Sequence, residues 1–207
     1  MDLWPVIVEE RRSLLATFEE LDRGQWDVPS LSEGWTVRQV LAHLVLAADP
    51  PLRRYLPAVV RARGSFDGAN HQLAVDDAVR PVGELLAAYR AALPHRFAPP
   101  GWPAAAPLAD ILLHALDVRI PLGLPTDRPA ARYVPAMELL MSRAGRAFAP
   151  GGRPTLRWVA TDHAWSDGSG EEVRGAMADL TLTASGRSAR LDRLEGPGAG
   201  RLRSWLG

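Results

Sequence analysis

The sequence predicts a mainly α-helical protein, with a helical bundle over residues 1–150 followed by a small α/β domain over 151–207. Three observations carry this expectation. Apolar residues recur at helical spacing in most segments between residues 6 and 148. One of those segments, 108–119, is apolar nearly all round yet carries a narrow ionisable stripe. Composition then shifts at Pro150-Gly151-Gly152, after which short segments of strand character appear.

Taken in order, residues 6–21 (VIVEERRSLLATFEEL) form the first expected helix. Val6, Leu14, Phe18 and Leu21 recur on one face, with Glu and Arg between them. The next stretch, GQWDVPSLSEGW, is a loop rich in Gly, Pro and Ser, and Trp26 and Trp35 are expected to pin it to the core. Thr36 opens the second helix through a capping box in which Gln39 reaches back. Val37, Val40, Leu41 and Leu44 make its apolar stripe, and Pro50-Pro51 ends it. A third helix is expected over 52–63, then a polar stretch over Gly64–Asp77. Residues 81–93 are again helical, with Pro81 in the first turn. Prolines at 94, 99, 100, 103 and 107 make 94–107 a surface loop. Helix 108–119 follows, then the loop PLGLPTDRP, then a helix over 130–148. Beyond the linker, Thr155–Thr161 has strand character, Ser166–Gly170 is a turn cluster, and Val173 belongs to a partner strand. Ala176–Ala184 fits helix or strand equally. There is no internal repeat and no low-complexity tract.

With 207 residues, 47% of them hydrophobic, the chain can bury one good core or one core plus a small module. No apolar run approaches the length of a bilayer span. The start, Met1-Asp2-Leu3-Trp4-Pro5, lacks the basic and apolar stretches of a secretory signal. A soluble cytoplasmic protein is expected, as monomer or homodimer, with no membrane partner. The 24 basic residues, all arginine, balance 24 acidic ones. That balance disfavours a nucleic-acid partner, which calls for a basic excess. There is no cysteine, which excludes disulfides, thiolate ligands and a cysteine nucleophile. Any metal must be held by His, Asp and Glu, and any thiol must come from outside.

The segment Leu108–Val118 is apolar except at Asp110, His114 and Asp117. At about 100° per residue these three share a sector roughly 60° wide. A surface helix has a broad polar face, so this one should be largely buried. Its ionisable stripe must then be satisfied inside the protein. A carboxylate and an imidazole one turn apart can hold one ion between them. The same D-x-x-x-H spacing also serves an ordinary Asp–His contact on a partly exposed helix. Among the remaining histidines, His71 lies in a polar stretch, His95 in a loop and His163 past the linker. His43 lies at the border of an apolar stripe, where it faces a bundle interior or makes a boundary hydrogen bond.

Two segments extend these patterns into longer motifs. The first is Trp26-x-x-Pro29-Ser30-Leu31-Ser32-Glu33-Gly34-Trp35-Thr36-Val37-Arg38-x-Val40-Leu41-Ala42-His43-Leu44. The second is Asp110-x-x-x-His114-x-x-Asp117-Val118-Arg119-x-Pro121-Leu122-Gly123. They closely resemble the two motifs of the mycothiol-dependent maleylpyruvate isomerase family, within the wider DinB-like group of metal-binding four-helix bundles. The tail, with Trp165, Gly175, Ala178-Asp179-Leu180, Gly186-Arg187 and Trp205, is similar in outline to the small α/β C-terminal domain of that family.

The resemblance implies a His, carboxylate, His metal triad, here His43, Asp110 and His114. In the characterised isomerase the carboxylate is glutamate. Aspartate is one methylene shorter, so the helix must sit closer to the ion or bind it through water. Asp117 matches an acidic position of the second motif, as a partner orienting His114 or a substitute ligand. Arg119 matches an arginine of many members. It is a candidate catalytic residue for pairing with a substrate or thiol carboxylate, or a C-terminal arginine offsetting the helix dipole. The implied cofactors are a divalent metal, typically zinc, and mycothiol or a similar low-molecular-weight thiol. The implied chemistry is an isomerase or transferase that activates the external thiol toward a small electrophilic substrate. A non-catalytic metal-binding or regulatory bundle and a metal-dependent hydrolase are the alternatives, since resemblance does not fix the reaction. Asn70 and His71 are further candidates for lining the pocket.

Overall fold

The computed structural model describes residues 2–145 and 152–207. Among them the chain is mainly helical, with nine α-helices and one three-stranded sheet near the C-terminus. The helices are α1 (Trp4–Glu19), α2 (Val37–Ala48), α3 (Leu52–Arg61), α4 (Phe66–Asp77), α5 (Val82–Ala92), α6 (Ala105–Arg119), α7 (Val134–Met141), α8 (Met177–Ala184) and α9 (Ala199–Leu206). The strands are β1 (Arg157–Ala160), β2 (Ser166–Gly168) and β3 (Glu172–Gly175). None of these helices is long and apolar enough to cross a membrane. The backbone groups into two compact units, Met1–Pro107 with Asp117–Pro125, and Leu108–Leu116 with Thr126–Gly207. The boundary expected at Pro150-Gly151-Gly152, and the end of the helix expected over 130–148, fall on or beside residues 146–151, outside the described residues.

In the first unit α2 packs against α4 and α5, α3 against α4, and α1 against α5. Ile7, Leu14, Phe18, Val37, Val40, Leu41, Leu85 and Tyr89 are fully buried. Trp26 is buried as expected, stacked on Phe18 with ring centroids 5.7 Å apart, and Tyr89 meets Phe18 edge-on at 6.1 Å. The capping box forms as read: Thr36 Oγ1 accepts from the Gln39 amide, and Gln39 Oε1 accepts from the Thr36 amide at 2.7 Å. Four orphan donors open every helix, and two at this end are satisfied by two side chains of the same motif. At the far end of α5, Arg11 donates to the carbonyls of Leu93 and His95.

The stretch Gly64–Asp77, expected only as polar, contains α4. Ser65 caps it by accepting from the Gly68 amide. Ala69, Leu73 and Ala74 are buried, at helical spacing, and Ala69 and Leu73 cluster with Leu46 and Ala58. Three small or aliphatic residues among many polar ones make too thin a stripe to recognise by periodicity. Tertiary packing supplies the stabilisation that propensity does not. Arg54 of α3 then reaches Asp77 at the end of α4, and that hydrogen bond pushes the guanidinium pKa up.

In the second unit β1 is the central strand, antiparallel to β2 (Trp158↔Asp167) and parallel to β3 (Trp158↔Val173). Thr155–Thr161 and Val173 therefore behave as read. The Ser166–Gly170 turn cluster begins with strand β2, and the undecided Ala176–Ala184 segment becomes helix α8. Met177, Leu180 and Leu182 of α8 are fully buried, and α8 packs on β1, β3 and α7. Of the helix expected over 130–148, the described residues form the shorter α7. A 3₁₀ turn at 130–132 leads into α7, and Ser142 closes it, donating to the Leu139 carbonyl and accepting from the Gly145 amide. Arg153 donates to the carbonyls of Leu140 and Ala184, at the C-terminal ends of α7 and α8, where a cation is favoured. Helix α9 was not anticipated; its Leu202 is fully buried.

Two stability predictions follow from these contacts. Thr36→Ala should lower the unfolding free energy by about 1 kcal/mol, and Thr36→Ser should keep most of it, read by urea denaturation. Gly168 has φ +83°, and a Cβ there would lie 2.2 Å from the Leu156 carbonyl oxygen. Gly168→Ala should therefore lower the melting temperature more than Gly200→Ala, where a Cβ meets nothing within 4 Å.

Candidate metal centre

Helix α6 is built as its composition predicts. Leu108, Ala109, Ile111, Leu112, Leu113, Ala115, Leu116 and Val118 are all buried. The ionisable stripe is buried with them: His114 and Arg119 are 7% exposed and Asp117 is fully buried. Only the Asp110 side chain, at 33%, keeps substantial access to water. The helix thus presents one carboxylate at an opening and one imidazole beside it, with His114 Nε2 3.4 Å from Asp110 Oδ1.

His43 is buried on α2, beside the apolar positions Leu41, Ala42 and Leu44. One ligand atom each from His43, Asp110 and His114 lies within 4.8 Å of the other two. Bonds of about 2.0–2.2 Å to a shared tetrahedral ion put neighbouring ligand atoms about 3.3–3.6 Å apart. The Asp110–His114 pair already has that spacing, and the His43 ligand atom lies within 4.8 Å of both. A simple Asp–His contact accounts for residues 110 and 114 alone. It does not account for a second buried imidazole brought to the same point. The donor set, two nitrogens and one carboxylate oxygen, suits zinc or a similar divalent ion and leaves coordination positions open.

The other residues of the two motifs hold this region in place. Ser32 Oγ donates to Asp117 Oδ2 at 3.2 Å, and the Leu31 amide donates to the Asp117 carbonyl at 3.1 Å. Asp117 is therefore tied to the loop that leads into α2. Arg119 donates through Nε and Nη2 to Thr17 Oγ1 and through Nη2 to the carbonyl and hydroxyl of Ser13. It joins the end of α6 to α1. Arg38 is half-buried and donates to the Arg80 carbonyl at 2.6 Å. Glu33 is exposed, beside Gly34 in a turn with φ +76°. Gly186, just before Arg187, has φ +95°.

Two contacts of Trp35 were not anticipated. The Trp35 ring lies 4.9 Å from the His43 ring, and Trp35 Nε1 donates to His71 Nδ1 at 2.8 Å. Trp35 was expected to pin a loop, and His71 to line a pocket. Their separation by 36 residues leaves no local signal of a pair.

Residues 7–119 match the family model described as the mycothiol maleylpyruvate isomerase N-terminal domain. Two crystal structures of mycothiol-dependent maleylpyruvate isomerase, one of them a histidine-to-alanine mutant, share the fold. Each aligns with a TM-score of 0.62 over 95% of this chain and 93% of the other, at 15% identity. At that identity the likeness speaks for the fold alone. No curated protein sequence matches the chain significantly. The matched residues run from within α1 to the end of α6 and include the first motif, the second as far as Arg119 and all three candidate ligands, and the chain belongs to the mycothiol maleylpyruvate isomerase N-terminal domain family.

Proposed function

We propose that this protein is a metal- and thiol-dependent enzyme that uses an external thiol, mycothiol or a close relative, on a small electrophile. The observation that carries this reading is the convergence of donor atoms from His43, Asp110 and His114 in a chain of this family. A divalent ion, zinc by its donor set, would supply Lewis acidity and hold a coordinated thiol as thiolate near neutral pH.

The chain's own residues set the conditions for that chemistry. His43 and His114 would offer imidazole nitrogens from buried positions, and the partly exposed Asp110 would offset the charge of a bound cation. Both imidazoles are themselves buried, which weakens the screening of charge beside them. Asp117 holds the loop before α2, which supports a positioning role for it. The four hydrogen bonds of Arg119 to Ser13 and Thr17 likewise support a role in anchoring α6. If the enzyme is an isomerase, the thiol returns unchanged after a double bond turns. If it is a transferase, the thiol is consumed. We place the protein in the cytoplasm, where a thiol cofactor stays reduced, as a monomer or homodimer. Residues 1–150 form its metal-binding module and 151–207 its C-terminal domain.

Elemental analysis of untreated protein should find close to one divalent ion per chain, and His43→Ala and His114→Ala should lose it. Equal, near-zero metal in wild type and both variants would sink the reading. Titration of metal-loaded protein with mycothiol should produce thiolate-to-metal absorption, strongest with cobalt in the site. Absence of that signal together with ester or amide hydrolysis would assign the open positions to water and make the protein a hydrolase. Metal without thiol binding or turnover would make it a non-catalytic module.

A further inference from the structure

Helix α2 decides where the His43 side chain starts, but not how its ring is turned. The last torsion of histidine is broad and roughly two-fold, while the nitrogen lone pair lies in the ring plane. A ligand histidine therefore needs neighbours that hold that plane, and such neighbours commonly change metal affinity when removed.

Trp35 is one such neighbour. Its ring stands 4.9 Å from the His43 ring with the planes 37° apart, a close tilted contact that limits how far the imidazole can turn. Trp35 is itself held at three points. Its amide donates to the Ser32 carbonyl, and its carbonyl accepts from the Ser30 amide and hydroxyl. Its indole N–H donates to His71 Nδ1 at 2.8 Å, and the two rings lie 17° from parallel. His71 lies near Gly34, where an added Cβ would stand 3.4 Å from its Cε1. His71 is exposed and Trp35 half-buried, so neither position is explained by filling a core.

We infer that Trp35 and His71 are a positioning pair. His71 fixes the indole by accepting its N–H, and the indole fixes the ring plane of His43 for metal binding. The inference rests on the metal reading above and adds two residues to it, both outside the ligand set.

The test is a cobalt(II) titration of metal-free protein followed by visible absorption, with circular dichroism melts as a check on folding. Wild type should bind cobalt, and His114→Ala should not. Trp35→Phe, which keeps an aromatic wall but loses the N–H, and His71→Ala should each weaken binding by about tenfold and shift the absorption maximum. His71→Gln should recover most of the affinity, because its amide oxygen can accept the indole N–H. A merely structural loss would show in the melts and would not be rescued by glutamine. Wild-type affinity and spectrum in Trp35→Phe, with binding still lost in His114→Ala, would overturn the positioning pair and leave the metal site standing. Glutamine as weak as alanine at 71 would overturn it as well. Equal cobalt binding by wild type and His114→Ala would overturn the metal reading itself, and the pair with it.

Discussion

An apolar helix with four ionisable residues on its inner turns can be buried only if each of them finds a partner there. Helix α6 sets this constraint, and much of the first motif answers it. Asp117 takes a hydroxyl and a backbone amide from the 31–32 loop, and Arg119 takes two hydroxyls and a carbonyl from α1. Leaving either group unpaired would cost several kcal/mol, more than a marginally stable domain can lose freely. The loop conformation and the seat of α1 are thus coupled to the orientation of α6. One possible ligand atom each of Asp110, His114 and His43 lies within 4.8 Å of the other two, a spacing that a shared cation would suit.

The same logic explains why the loop before α2 is so strongly determined. Ser30, Ser32 and Trp35 bond to one another through backbone and hydroxyl groups, Gly34 permits the positive φ between them, and Thr36 and Gln39 close the helix start. Each device is local and cheap in sequence. Together they deliver Trp35 against the His43 ring.

Much of this was legible from residues alone. The D-x-x-x-H spacing on a helix without a polar face marked Asp110 and His114, because burial and ionisation together demand a partner. The capping box marked the start of α2, because its two bonds are made within four residues. Val173 and the 155–161 strand were readable from β-branched and aromatic content. By contrast α4 hides in a polar stretch, since its buried side is only a thin stripe of Ala69, Leu73 and Ala74. Helix α8 could not be told from a strand until β1 and β3 offered it a face to cover.

Local chemistry by itself therefore determined the helix starts, the buried character of α6 and the two donors it carries one turn apart, because those depend on contacts within a few residues. Family motifs supplied the third donor, His43, sixty-seven residues before Asp110. Only the tertiary structure decided that the three possible donor atoms come within 4.8 Å of one another, that Asp117 bonds to the loop before α2 and Arg119 to α1, and that Trp35 contacts two histidines. Those facts depend on long-range packing, in which the partner of a side chain is chosen by the fold and not by its neighbours in sequence.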